Sequence, residues 1–346
     1  MSSTIPHEMR ALSLERYSAD LDEAIDGLKV VKRPIPALQR GQVLVRIEAA
    51  ACNPSDLLLL QGKYGNLKRL PTIPGWEGSG QVVAHGGGVF ARWLHGKRVA
   101  CGLQGDREGT WSEYFVAEAS ECIPLYRRVP AEQAAGLIVN PLTAVGLLET
   151  ARHGGHRAAV QTAAASQLGR MLIAMAKRDK YPLINVVRRK EQAELLKSLG
   201  AEHVLCSEDA DFASQLQALC VRLGATAAFE AVGGDMTGNI INRMPPGSTV
   251  YVYGDLSQQP CGNIDPIELL FREKTVCGFF LGTWLRRRGL VSTLRAVRHV
   301  QRLLMDGCIE TRIQRRLGLD DARDGLRQYA NNMTEGKVLI MPHLQK

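Results

Sequence analysis

The chain has 346 residues, more than one compact core of ordinary size accommodates, so two domains are expected. Its 45% hydrophobic and 23% charged residues are the proportions of a soluble globular protein, and no run is long and apolar enough to cross a bilayer. The net charge of +8 can serve nucleic acid, an anionic membrane or anionic small molecules such as dinucleotides and acyl thioesters; the basic residues are scattered apart from Arg286-Arg287-Arg288 and lack the aromatic interleaving that single-stranded nucleic acid needs.

In chain order, residues 1–10 lack the apolar core of a secretory signal, and Asp20 and Asp22 argue against a transit peptide. A cytoplasmic protein is expected. Residues 41–49 alternate apolar with polar side chains after a turn, which predicts a half-buried strand. Residues 79–84, 98–102 and 111–116 predict further short strands separated by glycine-rich turns such as Gly86-Gly87-Gly88. The pattern changes near Pro130, where residues 131–137 read as a helix. Strands at 158–161, 183–187, 203–205, 227–231, 249–253 and 276–281 then alternate with helices such as 168–177 and 191–199, the latter capped by Gly200. Residues 290–304 form a basic amphipathic helix, and 309–342 return to short strands and one helix.

This predicts an α/β protein: a doubly wound, parallel six-stranded Rossmann domain over 127–307, and a smaller antiparallel β domain over 1–126 completed by 308–346. The eight cysteines contain no CxxC pair, which excludes a disulfide framework or structural zinc knot and predicts buried thiols in a reducing compartment.

The turn after the first Rossmann strand reads Thr162-Ala163-Ala164-Ala165-Ser166-Gln167-Leu168-Gly169. Of the G-x-G-x-x-G glycines only Gly169 is present. Small residues still let the backbone approach a pyrophosphate, and the helix start at Ser166, Gln167 and Leu168 favours an anion. The next strand ends Arg188-Arg189-Lys190, with no acid to bind ribose hydroxyls. Cations there suit a 2′-phosphate, so the expected cofactor is NADPH.

Spaced motifs along the whole chain resemble the zinc-free branch of the medium-chain dehydrogenase/reductase superfamily, which includes quinone oxidoreductases and 2-enoyl thioester reductases. They are Asn53-Pro54-Ser55-Asp56, Gln61-Gly62-Lys63-Tyr64-Gly65, Leu70-Pro71-Thr72-Ile73-Pro74-Gly75-Trp76-Glu77-Gly78, Val139-Asn140-Pro141-Leu142-Thr143-Ala144 and Ser198-Leu199-Gly200-Ala201. The resemblance implies a GroES-like fold for the β domain. Zinc-dependent relatives carry Cys where this chain has Asn53 and His where it has Trp76, and a four-cysteine loop near 102–121, where this chain has no cysteine between Cys101 and Cys122. No metal is expected, because a tetrahedral site needs three or four ligands.

The resemblance further implies hydride transfer from NADPH to the C=C bond of an enoyl thioester or enone, with Tyr64 donating the proton. It implies that Asn140, Tyr253, Gly254, Phe279, Phe280, Leu281 and Lys337 contact the cofactor, and that Asn53 and Trp284 shape the substrate pocket. A homodimer paired through the cofactor sheet is expected, with no nucleic-acid or membrane partner. The alternatives are an NADPH:quinone oxidoreductase, in which Tyr64 matters little, and a catalytically weak protein that binds NADPH or RNA.

Overall fold

The computed structural model describes residues 5–102 and 107–344. The sequence stretch 102–121, read above for its lack of zinc-binding cysteines, lies partly outside the described residues. The chain forms two compact units, Met1–Val139 with Val297–Lys346, and Asn140–Ala296.

The first unit begins with an antiparallel pair, β1 (Glu8–Leu14) and β2 (Leu28–Pro34), in register from Glu8↔Pro34 to Leu14↔Leu28. The helix Leu21–Asp26 between them is capped by Asp20, whose carboxylate accepts from Glu23 N at 2.9 Å. Then come β3 (Gln42–Ala51), β4 (Glu77–His85), β5 (Arg98–Gly102), β6 (Tyr114–Glu118) and β7 (Ile123–Pro124). The strand expected at 111–116 starts three residues later: Trp111 is instead fully buried in the core, and its carbonyl accepts from Leu12 N. β3 and β4 approach so closely that a Cβ on Gly80 would lie 2.0 Å from Arg46 O, which only glycine permits.

The second unit carries β8 (Ala158–Gln161), β9 (Leu183–Val187), β10 (His203–Cys206), β11 (Ala225–Glu230), β12 (Thr249–Val252) and β13 (Thr275–Gly278). Among the described residues these form one six-stranded, all-parallel sheet in the order β10-β9-β8-β11-β12-β13. The strand order reverses between β8 and β11, the switch point of a Rossmann sheet. The strands are apolar because helices cover them; every residue of β8 and β9 is buried. The last strand is shorter than its sequence suggests. It ends at Gly278, and Leu281 opens the helix Leu281–Met305, which breaks at Gly289 (φ 72°).

The chain then returns to the first unit with β14 (Ile313–Leu317) and β15 (Lys337–Ile340). β15 pairs antiparallel with β3, Leu339 opposite Ala51, and extends that sheet to the order β14-β15-β3-β4-β5-β7, with β6 also on β3. A mainly antiparallel sheet thus accompanies the parallel one, as the sequence predicts. Five cysteines are buried as expected, whereas Cys261 is exposed.

Candidate active site

In the first unit, Asn53 precedes the helix Pro54–Leu60, Trp76 and Glu77 enter β4, and Lys337 opens β15. Sheet pairing brings these distant residues together in the interior. Asn53 Nδ2 donates to Glu77 Oε1 at 2.9 Å, and Glu77 Oε2 accepts from Ile138 N and Val139 N, both at 2.9 Å. Lys337 Nζ donates to Asn53 Oδ1 and, at 3.1 Å, to Cys52 O. Asp56 accepts from Asn53 N at 2.7 Å and Trp76 N at 3.1 Å. All are buried.

Burial sets the protonation of this network. It pushes the Asp56 carboxyl up to about 7, and the Glu77 carboxyl up against the opposing hydrogen bonds from Val139 N and Asn53. It also pulls the Lys337 ammonium down, with Glu77 opposing, and keeps the Cys52 thiol protonated. These residues do not fit a zinc ion. Both Glu77 oxygens are engaged, an ammonium group faces Asn53 Oδ1, and the neighbouring Trp76 indole offers no metal-ligating lone pair. No group of three or more His, Cys, Asp or Glu side chains among the described residues could hold a metal.

Tyr64 belongs to the same neighbourhood. It is half-buried, with its ring 4.7 Å from that of Trp76 and tilted 39° to it. Lys68 Nζ lies 4.7 Å from the Trp76 ring. Burial and then the Asp56 charge raise the Tyr64 phenol above its ordinary value, so it is protonated at neutral pH. The backbone turns into this segment at Gly62 (φ 69°), where a Cβ would lie 3.1 Å from Tyr17 Cβ.

In the second unit, most of the other predicted residues follow the C-terminal ends of parallel strands, where open α/β sheets bind ligands. After β8, Ser166 caps the helix Gln167–Arg178 by accepting from Gly169 N at 3.1 Å, which leaves its hydroxyl proton for an outside acceptor. Gln167 and Leu168 form the first turn, the end of the helix whose dipole favours an anion. A Cβ on Gly169 would lie 2.4 Å from Ala164 O, so the one glycine retained is the one the backbone requires. After β9, Arg188 and Arg189 are exposed, and Gln192 Oε1 accepts from their backbone N–H groups at 3.3 and 3.1 Å. Neither guanidinium has a carboxylate partner among the described residues, whereas Lys190 lies 3.6 Å from Asp209. The set fits a 2′-phosphate.

After β12, Tyr253 N donates to Glu230 O, and its buried hydroxyl has no partner among the described residues. A Cβ on Gly254 would lie 2.8 Å from Ala231 O. After β13, Phe279 N donates to Val252 O at 2.8 Å, Phe280 is exposed and Leu281 starts its helix. Asn140 is a buried residue of the first turn of the helix Val139–His153. Trp284 packs within this unit, with Phe279 6.4 Å away, Arg288 stacked at 4.0 Å and Gly146 beneath it.

Sequence reasoning missed Glu230. This fully buried acid accepts from Thr162 Oγ1 and Val232 N through one oxygen, and from Gly233 N and Thr237 Oγ1 through the other. It therefore shapes the turn at the switch point. The available signal was an acid ending an apolar strand just before Gly233-Gly234, both at positive φ.

Comparison with known proteins gives the family of the chain. Residues 39–127 match the alcohol dehydrogenase GroES-like domain, and 168–296 match the zinc-binding dehydrogenase family. The mitochondrial enoyl-[acyl-carrier-protein] reductase of Mus musculus is 31% identical over 297 residues, covering 81% of this chain and 77% of its own. A crystal structure of a candidate NADPH:quinone reductase from Mesorhizobium loti superposes with a TM-score of 0.91 at 35% identity, over 98% of this chain and all of that one. The Etr1p/NADP/crotonyl-CoA complex shares the fold at 21% identity and a TM-score of 0.80, over 96% of this chain and 99% of that one. The chain belongs to the medium-chain dehydrogenase/reductase superfamily, as an NAD(P)-linked oxidoreductase related to mitochondrial enoyl reductases and quinone oxidoreductases.

Proposed function

We propose that the chain is a zinc-free, NADPH-dependent reductase of the C=C bond of α,β-unsaturated carbonyl compounds, most like a 2-enoyl thioester reductase. The observation that carries this reading is Tyr64, a protonated phenol seated on Trp76 beside a carboxyl network that suits no metal. Bound NADPH supplies a hydride to the β carbon. Tyr64 Oη delivers the proton to the α carbon, and burial, with Asp56 second, raises a phenol that is already protonated at neutral pH. Arg188 and Arg189 hold the 2′-phosphate, and Ser166 with the first turn of its helix holds the pyrophosphate.

NADPH oxidation measured with a short enoyl thioester, a free enone and a quinone tests this. Tyr64→Phe is expected to lower turnover on the thioester by about 100-fold or more while leaving the NADPH Kd unchanged. Equal turnover of both forms would falsify the role given to Tyr64. Quinone reduction is the second reading, favoured by the 35% identity to the Mesorhizobium loti protein; it predicts turnover of the quinone alone, with no dependence on Tyr64.

A homodimer is part of the same proposal. β13 pairs on one side with β12 and leaves its other edge open among the described residues. Beside it in sequence, the helix Pro266–Phe271 buries none of its residues.

A further inference from the structure

The first unit carries a small apolar prominence that the reaction does not use. The helix Val89–Leu94 is anchored by buried Ala91 and Leu94, yet turns Val89 (89% exposed), Phe90 (44%) and Trp93 (50%) outward. Of the four tryptophans, Trp93 alone is exposed. Phe90 and Trp93 are stacked, with centroids 5.4 Å apart and planes 16° from parallel, and Lys97 Nζ lies 3.5 Å over the Trp93 ring. Lys97 also lines a groove of about 270 Å³ with Arg98, Pro124, Leu125, Tyr126 and Arg127.

The charges around this prominence are one-sided. Glu48 is engaged by Arg98 at 3.5 Å, and Glu118 and Glu121 by Arg107 at 3.9 and 2.5 Å. Arg92, Arg127 and Arg128 are exposed and have no carboxylate partner among the described residues. The whole chain carries a net charge of +8.

We propose that this face docks the protein peripherally on an anionic lipid surface. Val89, Phe90 and Trp93 enter the boundary between headgroups and acyl chains, and Lys97 and Arg127 bind lipid phosphate at the groove. Tryptophan and tyrosine favour that boundary because their rings are apolar and their N–H or O–H is polar. Basic residues beside them add attraction to anionic headgroups. A protein partner fits less well. Three protruding side chains present far less than the roughly 800 Å² per partner of a stable protein interface, whereas a bilayer conforms to a small convex tip. No spanning helix is required; no helix of the described residues is long and apolar enough to cross a membrane.

Sedimentation of the full chain with vesicles tests the proposal, using phosphatidylcholine alone and with roughly one part in three phosphatidylglycerol. The expected result is binding to the anionic vesicles only, weakened by salt, with a blue shift of Trp93 emission. The double substitutions Phe90→Ser with Trp93→Ser, and Lys97→Gln with Arg127→Gln, are each expected to weaken binding by about tenfold or more. All four side chains lie at the surface, so NADPH oxidation and melting temperature serve as controls for folding. Equal binding to both vesicle types, or undiminished binding of either variant, overturns the proposal. So does retention of the protein by an acidic polypeptide such as polyglutamate with none by vesicles.

Discussion

Lys337 joins the tail of the chain to Asn53, 284 residues earlier, and through it to Glu77. Lys337→Met leaves the buried Asn53 Oδ1 and Cys52 O without this donor and is expected to cost about 1–3 kcal/mol in urea unfolding. Asp56 gives a pH signature. Its folded pKa of about 7 lies above the unfolded carboxyl value, so the native state binds the extra proton. Stability from this group is full at acid pH and is lost as pH rises from about 4 through 7. The urea midpoint is expected to fall across that window in wild type and to fall less in Asp56→Asn. On the cofactor side, Arg188→Ala with Arg189→Ala is expected to raise the KM for NADPH on the order of 100-fold while barely changing that for NADH, because each charge-assisted hydrogen bond contributes about 1.5–3 kcal/mol. Unchanged preference between the two cofactors would remove the arginines from 2′-phosphate recognition. Legibility at this scale divides by range. Ser166 and Gly169 declare themselves because a helix start and a close backbone approach each restrict residue type locally. The Asn53–Glu77–Lys337 contacts do not, since nothing local to Lys337 distinguishes a buried ammonium from a solvated one.

Among elements, the six parallel strands were readable because they are short, mostly apolar runs that alternate with helices. β1 and β2 were not, since their pairing spans a capped helix, and β2 is largely exposed with weak alternation. The helices Phe212–Leu223, Asp235–Ile241 and Pro266–Phe271 also escaped notice; the last buries no residue, so no apolar face marks it. Leu270 and Phe271 there are 71% and 73% exposed, and the helix directly precedes in sequence β13, whose outer edge is open among the described residues. Open parallel edges invite a second strand. Leu270→Glu with Phe271→Glu is expected to halve the mass measured by light scattering without unfolding the protein; a wild-type chain already monomeric at that concentration would rule out the dimer.

For the molecule as a whole, the sequence announced both sheets and the return of the tail, because two patterns of hydrophobicity meet near Pro130 and short strands that cannot fold alone must join a sheet elsewhere. β15 is that return: it fills the place beside β3 and delivers Lys337 to Asn53. Its position has a consequence for synthesis. The N-terminal sheet leaves the ribosome first, yet it lacks two strands and a buried cation until residues 313–340 emerge. The intervening unit, Asn140–Ala296, is continuous in sequence and has all its strands sooner. Translation order and folding order therefore differ, with the middle of the protein maturing while its beginning waits for its end.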